Sequence, residues 1–169
     1  MKKILVLCAI PLFLSSCFTV SFLEPQPQGV ENLSDFPDKL IGNYLADDDT
    51  VVVTHKSYTM ENETFYISDS VVVKKFKKFY VVSVREEQTW TVMLVEQQKS
   101  GDLAMYSISN DDYPDGANCN KDSLIAEMKK ICKVKKRDHG YFAKPSKKEF
   151  KKLIKKDIFR PAGDLIKME

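Results

Sequence analysis

The sequence predicts an α+β domain in which an antiparallel β-meander, or a partly closed barrel, of six to eight strands is followed by two C-terminal helices. One observation is a series of β-branched and aromatic runs between residues 50 and 108, separated by polar turns. Such runs are typical of short antiparallel strands. The other observation is a change to helical spacing after residue 120, where apolar residues recur three and four positions apart. Together they predict one folded domain over residues 35–169.

The start of the chain has the organisation of an export signal. Lysines at positions 2 and 3 precede an apolar run over residues 4–13, and Leu14-Ser15-Ser16-Cys17 follows. A basic start, a short apolar centre and small residues before a cleavage point are typical of secretory signal peptides. The run is too short to cross a bilayer, which takes roughly 20 apolar residues. An ordinary secretory signal cut elsewhere and a cytosolic protein with an apolar start are the alternatives.

The Leu-Ser-Ser-Cys ending resembles the lipobox of bacterial lipoproteins. The resemblance implies that residues 1–16 are a signal peptide and that Cys17 becomes the acylated first residue of the mature chain. In those lipoproteins the cysteine carries several acyl chains, such as palmitate, which makes a stable membrane anchor. Phe18 follows the cysteine, whereas Asp in that place is associated with inner-membrane retention in many Gram-negative bacteria. No acidic cluster resembling a surface-export signal follows directly. The resemblance therefore implies an outer-membrane anchor in the cell envelope, with the protein facing the periplasm.

Residues 17–34 are predicted to be the lipidated cysteine and a flexible tether. They include Pro25-Gln26-Pro27-Gln28-Gly29, and proline-rich stretches favour extended, semi-rigid conformations. Fully extended, a segment of this length reaches at most about 55 to 60 Å. We therefore expect the tether to hold the domain away from the membrane.

The β-type runs predict strands that are apolar on both faces. The predicted strands cover residues 50–55, 64–67, 70–76, 79–85, 89–96 and 103–108, and a later hairpin covers residues 133–136 and 141–143. Because successive side chains of a strand point to opposite faces, one face would cover a core while the other met the helices, or the sheet would curl on itself. A closed barrel would have an interior lined by Val82, Val84, Trp90, Val92 and Leu94.

The two helices are predicted over residues 121–131 and from Ser146 onwards. The first places Leu124, Ile125, Met128 and Ile131 on one face. The second begins with Ser146-Lys-Lys-Glu149, which is a capping box. It should bury Phe150, Leu153 and Ile154, which leaves lysines on the opposite face.

Charge is distributed unevenly along the chain. Residues 18–120 carry 8 basic and 17 acidic side chains, whereas residues 121–169 carry 16 basic and 7 acidic side chains. The lysines outside the apolar stripe of the second helix are Lys147, Lys148, Lys151, Lys152, Lys155 and Lys156. One interpretation is a solvated helix face. The other is binding to anionic lipid headgroups or an acidic envelope polymer, to which each near-surface charge contributes about 1 kcal/mol. Nucleic acid is not expected as a partner of an exported protein.

Two cysteines other than Cys17 remain in the mature chain, Cys119 and Cys132. A helix over residues 121–131 would separate them by about 16 Å. A disulfide needs Cα atoms within about 7 Å of each other. We therefore expect two free or weakly paired thiols, with Cys132 packed in the core as a small apolar side chain.

No catalytic, cofactor or metal site is predicted. His55 and His139 have no partner at metal-ligand spacing. Residues 111–122 imitate a calcium loop, but Asp122 replaces the bidentate glutamate, so an acidic turn is favoured. The chain contains no Gly-x-Ser-x-Gly elbow. We therefore expect a protein that is not an enzyme.

Three further stretches carry a resemblance that covers most of the chain. They are Leu40-Ile-Gly-Asn-Tyr44, the lysine and aromatic hairpin over residues 76–80, and Pro145-Ser-Lys-Lys-Glu-Phe150. With the lipobox, they look like small, mostly uncharacterised lipoproteins of Bacteroidetes-type bacteria. These are scaffold features and imply no active site. We therefore expect a non-enzymatic envelope lipoprotein that binds or scaffolds a partner, and the alternative is a lipocalin-like carrier of a small apolar ligand or lipid.

Overall fold

The structure, a computed structural model, describes residues 20–47, 49–108, 121–137 and 140–168. Over these residues the chain forms twelve strands, two α-helices and a 3-10 turn at Asp38–Leu40, which confirms the α+β class. The strands are β1 (Val20–Phe22), β2 (Gly42–Ala46), β3 (Asp49–Val53), β4 (Ser57–Met60), β5 (Glu63–Tyr66), β6 (Val71–Phe76), β7 (Phe79–Glu86), β8 (Thr89–Gln97), β9 (Leu103–Ser107), β10 (Val134–Arg137), β11 (Gly140–Ala143) and β12 (Arg160–Lys167). The helices are α1 (Lys121–Ile131) and α2 (Lys147–Lys155).

The strands form one branched sheet with β8 at the branch point. Strand β7 pairs along one edge of β8 and carries β6 on its far side. The other edge of β8 is shared, because β1 pairs at Trp90 and β9 pairs from Leu94 to Gln97. From β1 the sheet continues to β11 and β10, and from β9 it continues through β12 to β2, β3, β4 and β5. The β1–β11 pair is parallel, and the other pairs of the described strands are antiparallel.

Strands β6, β7 and β8 are buried on both faces, as alternation in the sequence predicted. On one face Val81 and Val92 belong to a core that includes the apolar stripes of α1 and α2. On the other face Val73 and Val82 belong to a second core with Tyr44 and other residues of β2 and β3. The domain therefore has three layers: a helix layer (α1 and α2), the central strands, and a second sheet layer (β2 to β5).

The sheet is not closed into a barrel, as the carrier alternative would require, and the predicted number of six to eight strands is too low. Strand β12 joins β9 to β2, which lets the sheet curl over the central strands. Strands β5 and β6 do not pair with each other among the described residues. Near this gap two residues make isolated hydrogen bonds, from the backbone N–H of Leu33 to the oxygen of Val73 in β6 at 2.8 Å and from that of Phe36 to the oxygen of His55, between β3 and β4, at 2.7 Å. Two isolated bonds do not make a ladder, so the sheet stays open.

The prediction of a flexible tether is wrong from Val20 onwards. Strand β1 is part of the sheet, and its Phe22 is fully buried. The following residues, 23–36, form a strap that crosses β6 and β7 and ends in the second core at Phe36. Lys74 holds the strap, because its ammonium group donates to the carbonyl oxygen of Pro27 at 2.9 Å and of Pro25 at 3.3 Å. The Pro-Gln-Pro composition reflects a fixed, extended path across a sheet rather than a free linker.

Substitution of Lys74 by methionine should release the strap. Burial of Lys74, which is 5% exposed, lowers the pKa of its ammonium group, and the charge is offset by its two carbonyl partners. Methionine keeps the volume and removes the desolvation cost, but it leaves two buried carbonyls without donors. We expect a net loss of about 1 to 2 kcal/mol, measured by urea unfolding, and faster proteolysis within residues 23–36. The exposed Lys152→Met variant is the control, and equal stability of the two variants would contradict the role of Lys74.

Candidate functional site

Helix α2 presents the predicted lysine face because its start is fixed by a capping box. The Ser146 hydroxyl accepts from the backbone N–H of Glu149 at 3.4 Å, and the Glu149 carboxylate accepts from the backbone N–H of Ser146 at 2.8 Å. The Ser146 hydroxyl also donates to the Glu149 carboxylate at 2.7 Å, and this bond together with the one from the Ser146 backbone N–H holds the pKa of Glu149 below its usual range. With this start, Phe150 and Leu153 are fully buried and Ile154 is half-buried. The predicted helix and its apolar stripe are confirmed.

The six lysines of α2 and its C-cap are exposed and unpaired. They are Lys147, Lys148, Lys151, Lys152, Lys155 and Lys156. None of them takes part in an ion pair with another described residue. The helix therefore carries two rows of like charge at four-residue spacing, which is unfavourable for an isolated helix. Their binding to an anionic surface stays a prediction.

A seventh lysine joins this surface from another element. The turn between β6 and β7 has two residues, Lys77 and Lys78, and Lys77 lies in the left-handed region with φ of 57°. Phe76 in this hairpin packs against Phe150 of α2 with ring centroids 5.9 Å apart. The pKa of Lys77 is lowered by partial desolvation and by the positive charges of Lys151 and Lys155. The sequence predicted this hairpin but not its approach to α2, because that approach depends on tertiary packing.

The charges of the helix layer and of the second sheet layer have opposite signs. Residues 121–133 and 144–157, which contain α1 and α2, carry eleven basic and four acidic side chains. Residues 35–69, which contain β2 to β5, carry two basic and eight acidic side chains. Because the central strands separate these layers, the charge asymmetry along the sequence becomes a positive face and a negative face of the domain.

An apolar cavity of about 80 Å³ lies in the second core, on the side away from the helices. It is lined by Phe36, Leu40, Val51, Val53, Tyr58, Met60, Val82, Met93, Val95, Leu103, Met105 and Leu165. The predicted barrel lining is wrong, because Val82 and Val84 face this core whereas Trp90, Val92 and Leu94 face the helices. The reason is the register: Val82 pairs with Met93 rather than with Val92 or Leu94. Ligand pockets usually enclose about 300 Å³ or more, so this cavity is small for a lipid.

A second basic surface lies on the outward face of β10 and β11. It is a groove of about 370 Å³ lined by Leu23, Gln28, Lys133, Lys135, Arg137, Phe142, Lys144, Ser146 and Glu149. The guanidinium of Arg137 lies 5.3 Å from the centre of the Phe142 ring. Lys144 forms an ion pair with Glu24, and the negative charge of Glu149 offsets part of the remaining positive charge of the groove. The groove is therefore closer to neutral than the face of α2.

The remaining sequence candidates do not form a site within the described residues. His55 lies 3.0 Å from the carboxylate of Asp38 at the surface. No group of three or more His, Cys, Asp or Glu side chains suited to a metal occurs in the described ranges. Cys132 is a free, buried thiol, as predicted. Cys17, Cys119, His139 and most of the acidic loop at residues 111–122 lie outside the described residues.

Neither of the two described helices is long and apolar enough to cross a membrane.

No protein-family profile matches the chain, and no curated protein or solved structure matches it significantly.

Filling the cavity should stabilise the domain. Val82→Ile adds one methylene that points into the cavity, and burying a methylene is worth about 0.8 kcal/mol. The control is Val81→Ile, on the same strand, because Val81 is fully buried in the close-packed helix core and overpacking costs about 1 to 3 kcal/mol. We expect thermal unfolding to show a rise of a few degrees for the first variant and a fall for the second. Equal shifts would contradict the cavity.

The thiol of Cys132 should resist reaction and contribute to the pH dependence of stability. Burial, with a smaller effect of the Glu149 charge, raises the pKa of Cys132 from 9.0 to about 11. The folded state thus binds the proton more tightly than the unfolded state, so this contribution is complete below pH 9.0 and is lost as the pH rises towards about 11. Between these values the urea midpoint should fall less steeply in Cys132→Ala than in the wild type. Rapid alkylation of Cys132 in the folded protein would contradict its burial.

Proposed function

We propose that this protein is a membrane-anchored envelope lipoprotein that serves as a non-enzymatic binding or scaffolding module. The observation that carries the proposal is the lipobox-like Leu14-Ser15-Ser16-Cys17, which follows a short apolar run. An outer-membrane anchor facing the periplasm is part of the proposal, because Phe18 rather than Asp follows the cysteine.

The distribution of perturbed groups favours a binding module over an enzyme. Active sites collect several groups with shifted pKa values in one cleft. Here Lys74 holds the strap and Cys132 lies in the helix core. Tyr58, whose pKa is raised to about 12 by burial, stacks on Phe65 with ring centroids 4.8 Å apart. Each of these three shifts has a separate structural cause. Lys78 and Tyr106, whose pKa values are also shifted, both contact the carboxylate of Glu96, where Lys78 and Glu96 form an ion pair.

An exposed apolar pair offers a surface for a partner protein. Leu45 of β2 and Ile166 of β12 are cross-strand neighbours, and they are 42% and 51% exposed. The nearby end of the chain adds Met168, which is 46% exposed. Grouped apolar side chains at a surface are typical of interaction sites. They support partner binding as the role of the anchored domain.

A carrier of a small apolar ligand is the second candidate, and the apolar cavity is the observation that favours it. The open sheet and the small cavity volume of about 80 Å³ argue against a carrier, so the binding module is favoured. A cavity of about 150 Å³ takes up benzene, so an acyl chain would require the surrounding side chains to move. The three methionines of the lining are flexible enough for modest changes only.

Substitution of Cys17 by serine should abolish acylation and membrane attachment. The wild-type protein, labelled in cells with an alkyne fatty acid, should carry label, begin at residue 17 and sediment with membranes. In Cys17→Ser the label should be lost. Cys8→Ser, within the apolar run, is the control and should leave both labelling and membrane attachment intact. A wild-type protein that is unlabelled or soluble would overturn the proposal.

A further inference from the structure

The folded domain begins very close to the proposed anchor. Strand β1 starts at Val20, so two residues, Phe18 and Thr19, separate the sheet from Cys17. Even a fully extended chain spans only about 10 Å over this distance. With Cys17 acylated, as the proposed function requires, the domain must therefore lie at the membrane surface rather than at the end of a long tether.

The anchored strand enters the domain next to the helix layer. Val20 and Phe22 pack in the core that α1 and α2 cover. Val20 also pairs with Tyr141 of β11, and the ammonium group of Lys121, the first residue of α1, lies 5.6 Å from the centre of the Tyr141 ring. The start of α1 and the strand that arrives from the membrane are thus both neighbours of Tyr141.

The helix layer is also the positive face of the domain. Its eleven basic side chains outnumber its four acidic ones, and the lysines of α2 have no described ion-pair partners. Lys77 adds a further charge beside α2. The second sheet layer on the opposite side carries eight acidic side chains and two basic ones. An anionic surface attracts the first face and repels the second.

From these three observations we infer that the anchored domain lies with its helix layer against the membrane and that the lysines of α2 bind anionic phospholipid headgroups. The acidic second sheet layer then faces away from the bilayer. The occupant is the bilayer rather than a free acidic polymer, because the short connection to Cys17 holds the domain within reach of lipid headgroups. The inference rests on the proposed function and adds the orientation of the domain and the lipid class that fixes it.

The test uses the acylated protein reconstituted into vesicles of phosphatidylcholine alone or of an equal mixture with phosphatidylglycerol. Exposed lysines are acetylated with a water-soluble reagent, and the rate at each lysine is read by mass spectrometry. In the anionic vesicles the lysines of α2 should react several-fold more slowly than Lys99 and Lys167, which are exposed on other surfaces. In neutral vesicles this contrast should be small, and high salt should remove it from the anionic ones.

Two triple variants with the same change in net charge sharpen the test. The first triple variant combines Lys151→Gln, Lys152→Gln and Lys155→Gln. Its affinity for anionic headgroups should fall about a hundredfold, at roughly fivefold per charge. The remaining lysines of this face, Lys147, Lys148 and Lys156, should then lose their protection from acetylation. The control, Lys56→Gln, Lys99→Gln, Lys167→Gln, changes exposed lysines away from α2 and should retain it. The urea midpoint of each variant verifies that it is folded.

The outcomes separate the inference from the proposed function. Uniform acetylation of an acylated, vesicle-bound protein would overturn the orientation and assign the lysines to another anionic partner, while the anchor would stand. Equal loss of protection in both triple variants would also overturn it, because general charge rather than the helix layer would be responsible. A mature protein without acyl mass would overturn both.

Discussion

The structure depends on the burial of β6, β7 and β8 on both faces. Because these strands are apolar on both faces, a domain of only two layers would leave one of the faces in water. The chain supplies two different covers, the amphipathic helices on one face and the curled continuation of the same sheet on the other. Both covers must close for the central strands to be dry, so the three layers fold as one unit.

The strap covers the edge of β6 that has no strand partner among the described residues. Strand β6 would present an unpaired edge, and exposed edges invite association with other chains. Residues 23–36 cross this edge, with the Leu33 N–H donating to Val73 and Lys74 holding two carbonyl groups from the opposite face of the strand. Burying a lysine costs desolvation free energy, but its ammonium group has three donors and can bond to both carbonyl groups of the proline-rich segment.

The features that could be predicted from the sequence are those whose residue pattern lies within a single helix or strand. The capping box at Ser146, the apolar stripes of α1 and α2 and the alternation in β7 and β8 were all predicted. Strands β1 and β12 could not be predicted, because their conformation depends on pairing with neighbouring strands. Strand β12 contains Pro161 and Gly163, which weaken a strand pattern, and β1 precedes a proline-rich stretch. The candidate site shows the same division. The lysines of α2 follow from helical periodicity, whereas the approach of Lys77 and the separation of charge between layers require the tertiary fold.

The lysine rows of α2 are not explained by solubility. A soluble surface is best served by mixed charges, with acidic residues four positions before lysines to form favourable pairs. Instead Lys147, Lys151 and Lys155 form one row and Lys148, Lys152 and Lys156 form another. Each like-charge pair costs about 0.2 to 0.5 kcal/mol of helix stability, and the capping box and the burial of Phe150 and Leu153 offset that cost. An anionic surface would relieve the repulsion, so the inferred binding to lipid headgroups predicts a helix that is more stable at a membrane than in solution.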